Sequence, residues 1–194
     1  MRPEQGQVLH FSEDPAITRF IPHVAATAQQ PDAYVWAVDY DLSPDYWFPR
    51  ACPRAMAWTT PSTTAEDRDR ILGPGGGDRV HAIEYEWLDR IRSVKLFAYR
   101  FPAKHFKPIG SPVPHAFVAT ETVEPLGPPD PVGDLMELHR DAGIQLRVMA
   151  NLWEFWDGVI TSSLGFSGIR LRNAQPRRGG DRREEKGPDG RLNT

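Results

Sequence analysis

The chain has 194 residues, 40% of them hydrophobic and 25% charged, with a formal net charge of -3, the balance of one globular domain. That charge supplies no electrostatic reason to expect nucleic acid or an anionic membrane as the main partner. A single cysteine excludes an intramolecular disulfide and any cysteine-cluster zinc site. The sequence holds no apolar run near ~18 residues. Its start lacks a basic segment followed by an apolar one, so a cytoplasmic address is the expectation. Nineteen prolines and six tryptophans predict many stiff connections and a core with large aromatic pieces.

In chain order, Val8 to Phe11 predicts a strand, and Ser12 to Pro15 a turn. Ile17, Phe20 and Ile21 then have helical spacing up to Pro22. A loop over 23–33 precedes a second strand, Tyr34 to Val38, with Asp39 at its end. Ser43 can cap a helical turn at Pro44. Tyr46 to Arg54 packs three aromatics, two prolines, two arginines and the cysteine into a stiff, irregular loop. Met56 to Trp58 is a third strand, and 59–79 is polar, with a flexible connector at Gly73 to Gly77. That glycine run lacks the Lys-Ser/Thr of a phosphate-binding loop.

Val80, Ile83, Trp87, Leu88 and Ile91 predict one amphipathic helix from Val80 to Arg92. Val94 to Phe101 predicts a strand buried on both faces, and Ala116 to Val123 another, carrying Glu121. A helix over Val132 to His139 ends near Gly143. A strand with one wet face follows at Ile144 to Val148. Asn151 can cap a helix with Leu152, Phe155, Trp156 and Val159 on its apolar face. A last strand runs from Phe166 to Arg172. The mixture lacks regular βαβ alternation, so the expected fold class is α+β, with one domain over 1–173 and a central, mostly antiparallel sheet. Residues 174–194, charged and almost free of apolar side chains, are expected to be a disordered tail.

His10 either packs the end of its strand or holds a ligand hydroxyl as a neutral imidazole. Arg50 and Arg54 either bind phosphate or carboxylate or pin their loop through Asp39 or Asp45, and Arg147, Arg170 and Arg172 are available to a cationic pocket. Cys52 reads as a small buried filler, since nothing places a base beside it. Asp78, His81 and Glu84 read as capping and solvated groups, because two ligands at helical spacing are a weak metal signal. Trp36, Trp47 and Trp58 are core or loop anchors, or one of them stacks on a ligand ring. Glu121 is an edge-strand carboxylate or one that faces a cleft.

The chain resembles a bacterial family of unknown function, DUF6886. The likeness rests on Leu9 to Glu13, Val35 to Ala37, Tyr46 to Arg50, Cys52 to Arg54, Glu84 with Trp87 and Arg90, and Phe166 to Asn173. It departs at Ala51, where an acidic residue is expected, and it implies no activity. A looser resemblance, to ADP-ribosyltransferase-like proteins, implies His10 on a ribose, Tyr46 or Tyr34 on nicotinamide, and Glu121 polarising the sugar. On that resemblance the chain is an enzyme acting on NAD or a related nucleotide, with His10 and Glu121 catalytic, Tyr46, Arg50, Arg54 and Arg170 binding the ligand, and no metal needed. A binding module that uses the arginine and aromatic loop for a small anionic molecule or a protein partner is the alternative. A metal-assisted hydrolase built on His10, Glu13 and His81 ranks third.

Overall fold

Strands and helices are short and interleaved in this computed structural model, which describes residues 1–24, 32–74, 77–110 and 113–177. The first half holds β1 (Gln7–Ser12), β2 (Val35–Ala37), β3 (Arg54–Trp58), α1 (Ala65–Ile71), β4 (Arg79–Glu84), α2 (Leu88–Ser93) and β5 (Phe97–Pro102). The second holds β6 (Lys107–Ile109), β7 (Ala116–Ala119), β8 (Asp130–Pro131), α3 (Leu135–Asp141), β9 (Gln145–Met149), α4 (Trp153–Ile160) and β10 (Gly165–Ile169). They form three sheets, ordered β1-β5-β8, β10-β3-β4-β9 and β2-β7-β6. Every pairing is antiparallel except β4 with β9. The class is α+β.

Three cores explain why the strands carry so little polar alternation. In β1, Val8 joins one core and its neighbour Leu9 another, because successive strand residues face opposite ways. β5 repeats this, with Ala98 on the Leu9 side and Tyr99 and Phe101 on the Val8 side, so it is buried on both faces as expected. The Leu9 core also takes Ile83 of β4 and the loop residues Trp47, Phe48 and Cys52. On the opposite face of β4, Val80 and Ala82 meet α1 and α4 in the third core. A reciprocal backbone pair, Leu9 N–H to Val38 carbonyl and back, both 2.8 Å, ties β1 to the end of β2. It brings two sheets to one seam.

The predicted helix over Val80–Arg92 is the largest correction. Val80 to Glu84 are all buried in the central strand β4, and only Leu88–Ser93 is α-helical. The helical spacing came from joining a doubly buried strand to the short helix beyond it. His81 and Glu84 are therefore interior groups, not solvated ones. Helix α1 lies in a segment expected only to be polar. The Thr64 side chain accepts from Asp67 N–H at 3.2 Å to cap it, and Ile71 is its one buried residue.

No helical turn forms over Ile17–Ile21; Phe20 instead exchanges backbone bonds with Val123. Strand β7 stops at Ala119, two residues before Glu121. At the 3-10 turn Ser43–Tyr46, Asp39 accepts from Leu42 N–H, and Ser43 donates to the Asp39 carbonyl rather than capping. The loop over 23–33 and the glycine connector lie partly outside the described residues. Residues 178–194 of the expected tail lie outside them too. Residues 175–177 are held: Gln175 N–H donates to Glu84, and Arg177 pairs with Asp157. Among the described residues no helix is long and apolar enough to cross a membrane.

Candidate functional site

The stiff loop is built inward. Trp47 and Phe48 are buried, and the Trp47 indole donates to the Met1 carbonyl at 2.9 Å. Arg54, at the start of β3, is only 3% exposed. Its Nε donates to the Asp45 carbonyl at 2.7 Å and its Nη1 to the Cys52 carbonyl at 2.9 Å, so this arginine pins both ends of the loop. Burial lowers its pKa, yet a guanidinium starts so far above neutrality that it stays charged. Burial pushes the Cys52 thiol up to about 12, which leaves no thiolate for nucleophilic chemistry at neutral pH.

Behind the loop runs a buried polar chain. His139 Nδ1 lies 2.6 Å from the Leu135 carbonyl, and only a donating N–H satisfies that contact. Its Nε2 must then accept, so the His81 Nδ1 at 3.1 Å donates. The remaining nitrogen, His81 Nε2, accepts from Arg79 Nε at 3.1 Å. Burial holds both imidazoles neutral, with His139 near 4 and His81 also lowered. Burial alone would raise the Asp45 carboxyl, but the Arg79 guanidinium that donates to it holds it below its ordinary range. Nothing in the sequence pattern signals this chain, because His139 was placed on an ordinary helix face.

A cavity of about 370 Å³ opens at the seam between the sheets. β1 supplies His10, the β2 segment supplies Trp36, the loop supplies Tyr46, Arg50 and Arg54, and the end of β10 supplies Arg170. Leu9, Phe11, Val38, Phe48 and Ile169 give it apolar walls. Among the described residues no carboxylate lines it. Arg50 is exposed, and its guanidinium makes no ion pair or hydrogen bond with the described residues. Its backbone N–H is anchored on Glu13 at 2.9 Å. Arg170 also lacks an ion pair among the described residues and sits at φ 57°, a conformation costly for a residue with a Cβ. Burial, then the charges of Arg172 and Arg50, lower its pKa. His10 is pushed down to about 4 by burial, against the Trp36 carbonyl that accepts from its Nδ1 at 2.7 Å.

Five of the six residues singled out from sequence thus meet at one cavity: His10, Tyr46, Arg50, Arg54 and Arg170. Glu121 is exposed in the bend after β7 and lies outside that lining. Arg147 serves elsewhere, donating to the Ile71 and Leu72 carbonyls at the end of α1. His10, Glu13 and His81 do not come together: Glu13 bonds Arg90 in a neighbouring hollow, and His81 belongs to the interior chain. Among the described residues no three His, Cys, Asp or Glu side chains are grouped to hold a metal ion. Of the three tryptophans read as anchors or as a ring that stacks on a ligand, Trp36 lines the cavity; an aromatic in a strand carries no mark separating core from cavity wall.

The fold and cavity define a small α+β protein with a cationic, aromatic-walled pocket. The model of a family of unknown function, DUF6886, matches residues 9–174, and the chain belongs to that family. No curated protein and no solved structure matches it.

Proposed function

We propose that the protein binds a small anionic molecule, a phosphate- or carboxylate-bearing compound with an apolar or ring-shaped body, in the cavity at the sheet seam. The observation that carries this is the charge of the lining: among the described residues it has three arginines and no carboxylate. Two of them, Arg50 and Arg170, have no counter-ion among the described residues, and they lie close enough to perturb one another. Placing like charges together is unfavourable until an anion arrives, and a guanidinium fork suits bidentate oxygen contacts. The volume falls within the range of roughly 300–1,000 Å³ usual for small-ligand pockets. Arg54 is already ordered by two carbonyls, so little side-chain entropy is lost when it meets a ligand.

Binding is favoured here over cleavage of NAD. Breaking the nicotinamide–ribose bond builds oxocarbenium-like charge, which calls for a carboxylate beside the sugar. The described residues of the cavity wall provide none, and Glu121 stands outside it. A thermal-shift panel of AMP, NAD, inorganic phosphate and benzoate, paired with an assay for nicotinamide release, tests this. A rise in melting temperature with at least one anion, without nicotinamide release, is expected. No shift with any of them at millimolar concentration would overturn it, and turnover lost in Glu121→Gln would favour the enzyme instead.

A further inference from the structure

We infer that the ligand is a hydroxylated phosphate monoester, and that His10 selects it by accepting a hydrogen bond from a hydroxyl beside the phosphate. This rests on the anion-binding reading above and adds a second recognition element to it. The bond from Nδ1 to the Trp36 carbonyl at 2.7 Å fixes the tautomer, because a carbonyl can only accept. Nε2 therefore carries a lone pair, and no described group donates to it. The ring stays oriented by its edge contact with Phe20, centroids 4.9 Å apart. His10, Arg50 and Arg170 line the same cavity, and Arg50 lies within electrostatic reach of both of the others. With Arg54 adding a third positive charge to the same wall, a doubly charged phosphate is balanced better than a singly charged carboxylate.

Trp36 shares this lining, and its indole N–H is buried with no acceptor among the described residues. The lone-pair acceptor at His10 fits a hydroxyl-bearing body and not a purely apolar one.

The test compares two phosphates of similar shape, ribose 5-phosphate and cyclopentylmethyl phosphate, by titration calorimetry on the full chain. Apolar walls alone would favour the carbocycle, since unpaired hydroxyls lose hydration on entry. A preference for the sugar phosphate of about tenfold or more is expected, the size of one or two hydrogen bonds. In His10→Phe, which keeps an aromatic edge for Phe20, that preference should disappear while the carbocycle's affinity holds. His10→Gln, with a side-chain oxygen acceptor, should restore part of it. Independently of any variant, the wild-type His10 Nε2 nitrogen-15 resonance should shift on adding the sugar phosphate and not the carbocycle. Equal affinities, an unmoved resonance, or a preference that survives in His10→Phe would overturn the role of His10 while leaving anion binding intact. Failure of both phosphates and of inorganic phosphate to bind would remove the anion-binding reading itself.

Discussion

Arg50 and Arg54, four positions apart, separate cleanly by what they touch. Arg54 is interior and holds two carbonyls, so Arg54→Ala strands both acceptors and opens a void. A loss of about 2–4 kcal/mol in urea unfolding is expected. Arg50→Ala removes no side-chain bond and should move stability by no more than about 0.5 kcal/mol, while lowering anion affinity at least ~10-fold. The reverse pattern, an Arg54→Ala that keeps full stability and an Arg50→Ala that loses it, would show that the assignment of pin and ligand group is inverted. Titration of the buried imidazoles belongs to the same scale. His139 and His10, both depressed to about 4, are neutral in the fold while the unfolded chain protonates near 6.5. Between pH 6.5 and 4 the unfolded state binds more protons, so stability should fall as pH falls through that window and be flat above it. His139 alone is worth on the order of 3 kcal/mol across it. Asp45, held below its ordinary value, contributes only at lower pH still. Unfolding free energy that stays constant from pH 7 to 4.5 would contradict neutral burial.

Strand β4 shows how one element coordinates both faces of the molecule. Its His81 enters the polar chain behind the loop, and its Glu84, 1% exposed, accepts from Leu152 N–H at 3.0 Å and Gln175 N–H at 2.9 Å. One carboxylate thereby satisfies a donor at the start of α4 and fastens the chain beyond β10. Glu84→Ala should cost about 1–3 kcal/mol and speed hydrogen exchange at Leu152 and Gln175 ahead of the rest. Unchanged exchange there would mean the clamp is not needed. At the end of β10, Arg170→Gly removes a cavity cation and relaxes the left-handed backbone at once. It should bind anions more weakly and yet unfold at equal or slightly higher denaturant, by up to about 1 kcal/mol. A loss of stability would mean the side chain, not the ligand, justifies the strained backbone.

At the scale of the whole molecule, the sequence was legible where local chemistry decides structure. β1, β2, β5, α3 and α4 follow from strand formers, alternation and caps, and the loop follows from its prolines. It was illegible where tertiary burial overrides periodicity. β4 is buried on both faces, so its spacing mimicked a helix, and α1 offered one apolar residue to notice. Five of the six candidate residues line one cavity, and each is a residue whose chemistry stands out singly: arginines in or after stiff segments, a tyrosine in a loop, a histidine in a strand. The polar chain Arg79–His81–His139 and the bond from His10 to the Trp36 carbonyl depend on contacts 58 and 26 positions apart, which no local pattern encodes.

Cavity charge is the claim on which the rest depends. The most direct test is calorimetric titration of AMP into the wild-type chain and into the Arg50→Ala/Arg170→Ala double variant, at low and at physiological salt. Saturable one-to-one binding is expected in the wild type, weakened by salt, and reduced at least ~100-fold in the double variant, which should remain folded. Binding of equal strength in both proteins would place the anion elsewhere and contradict the account.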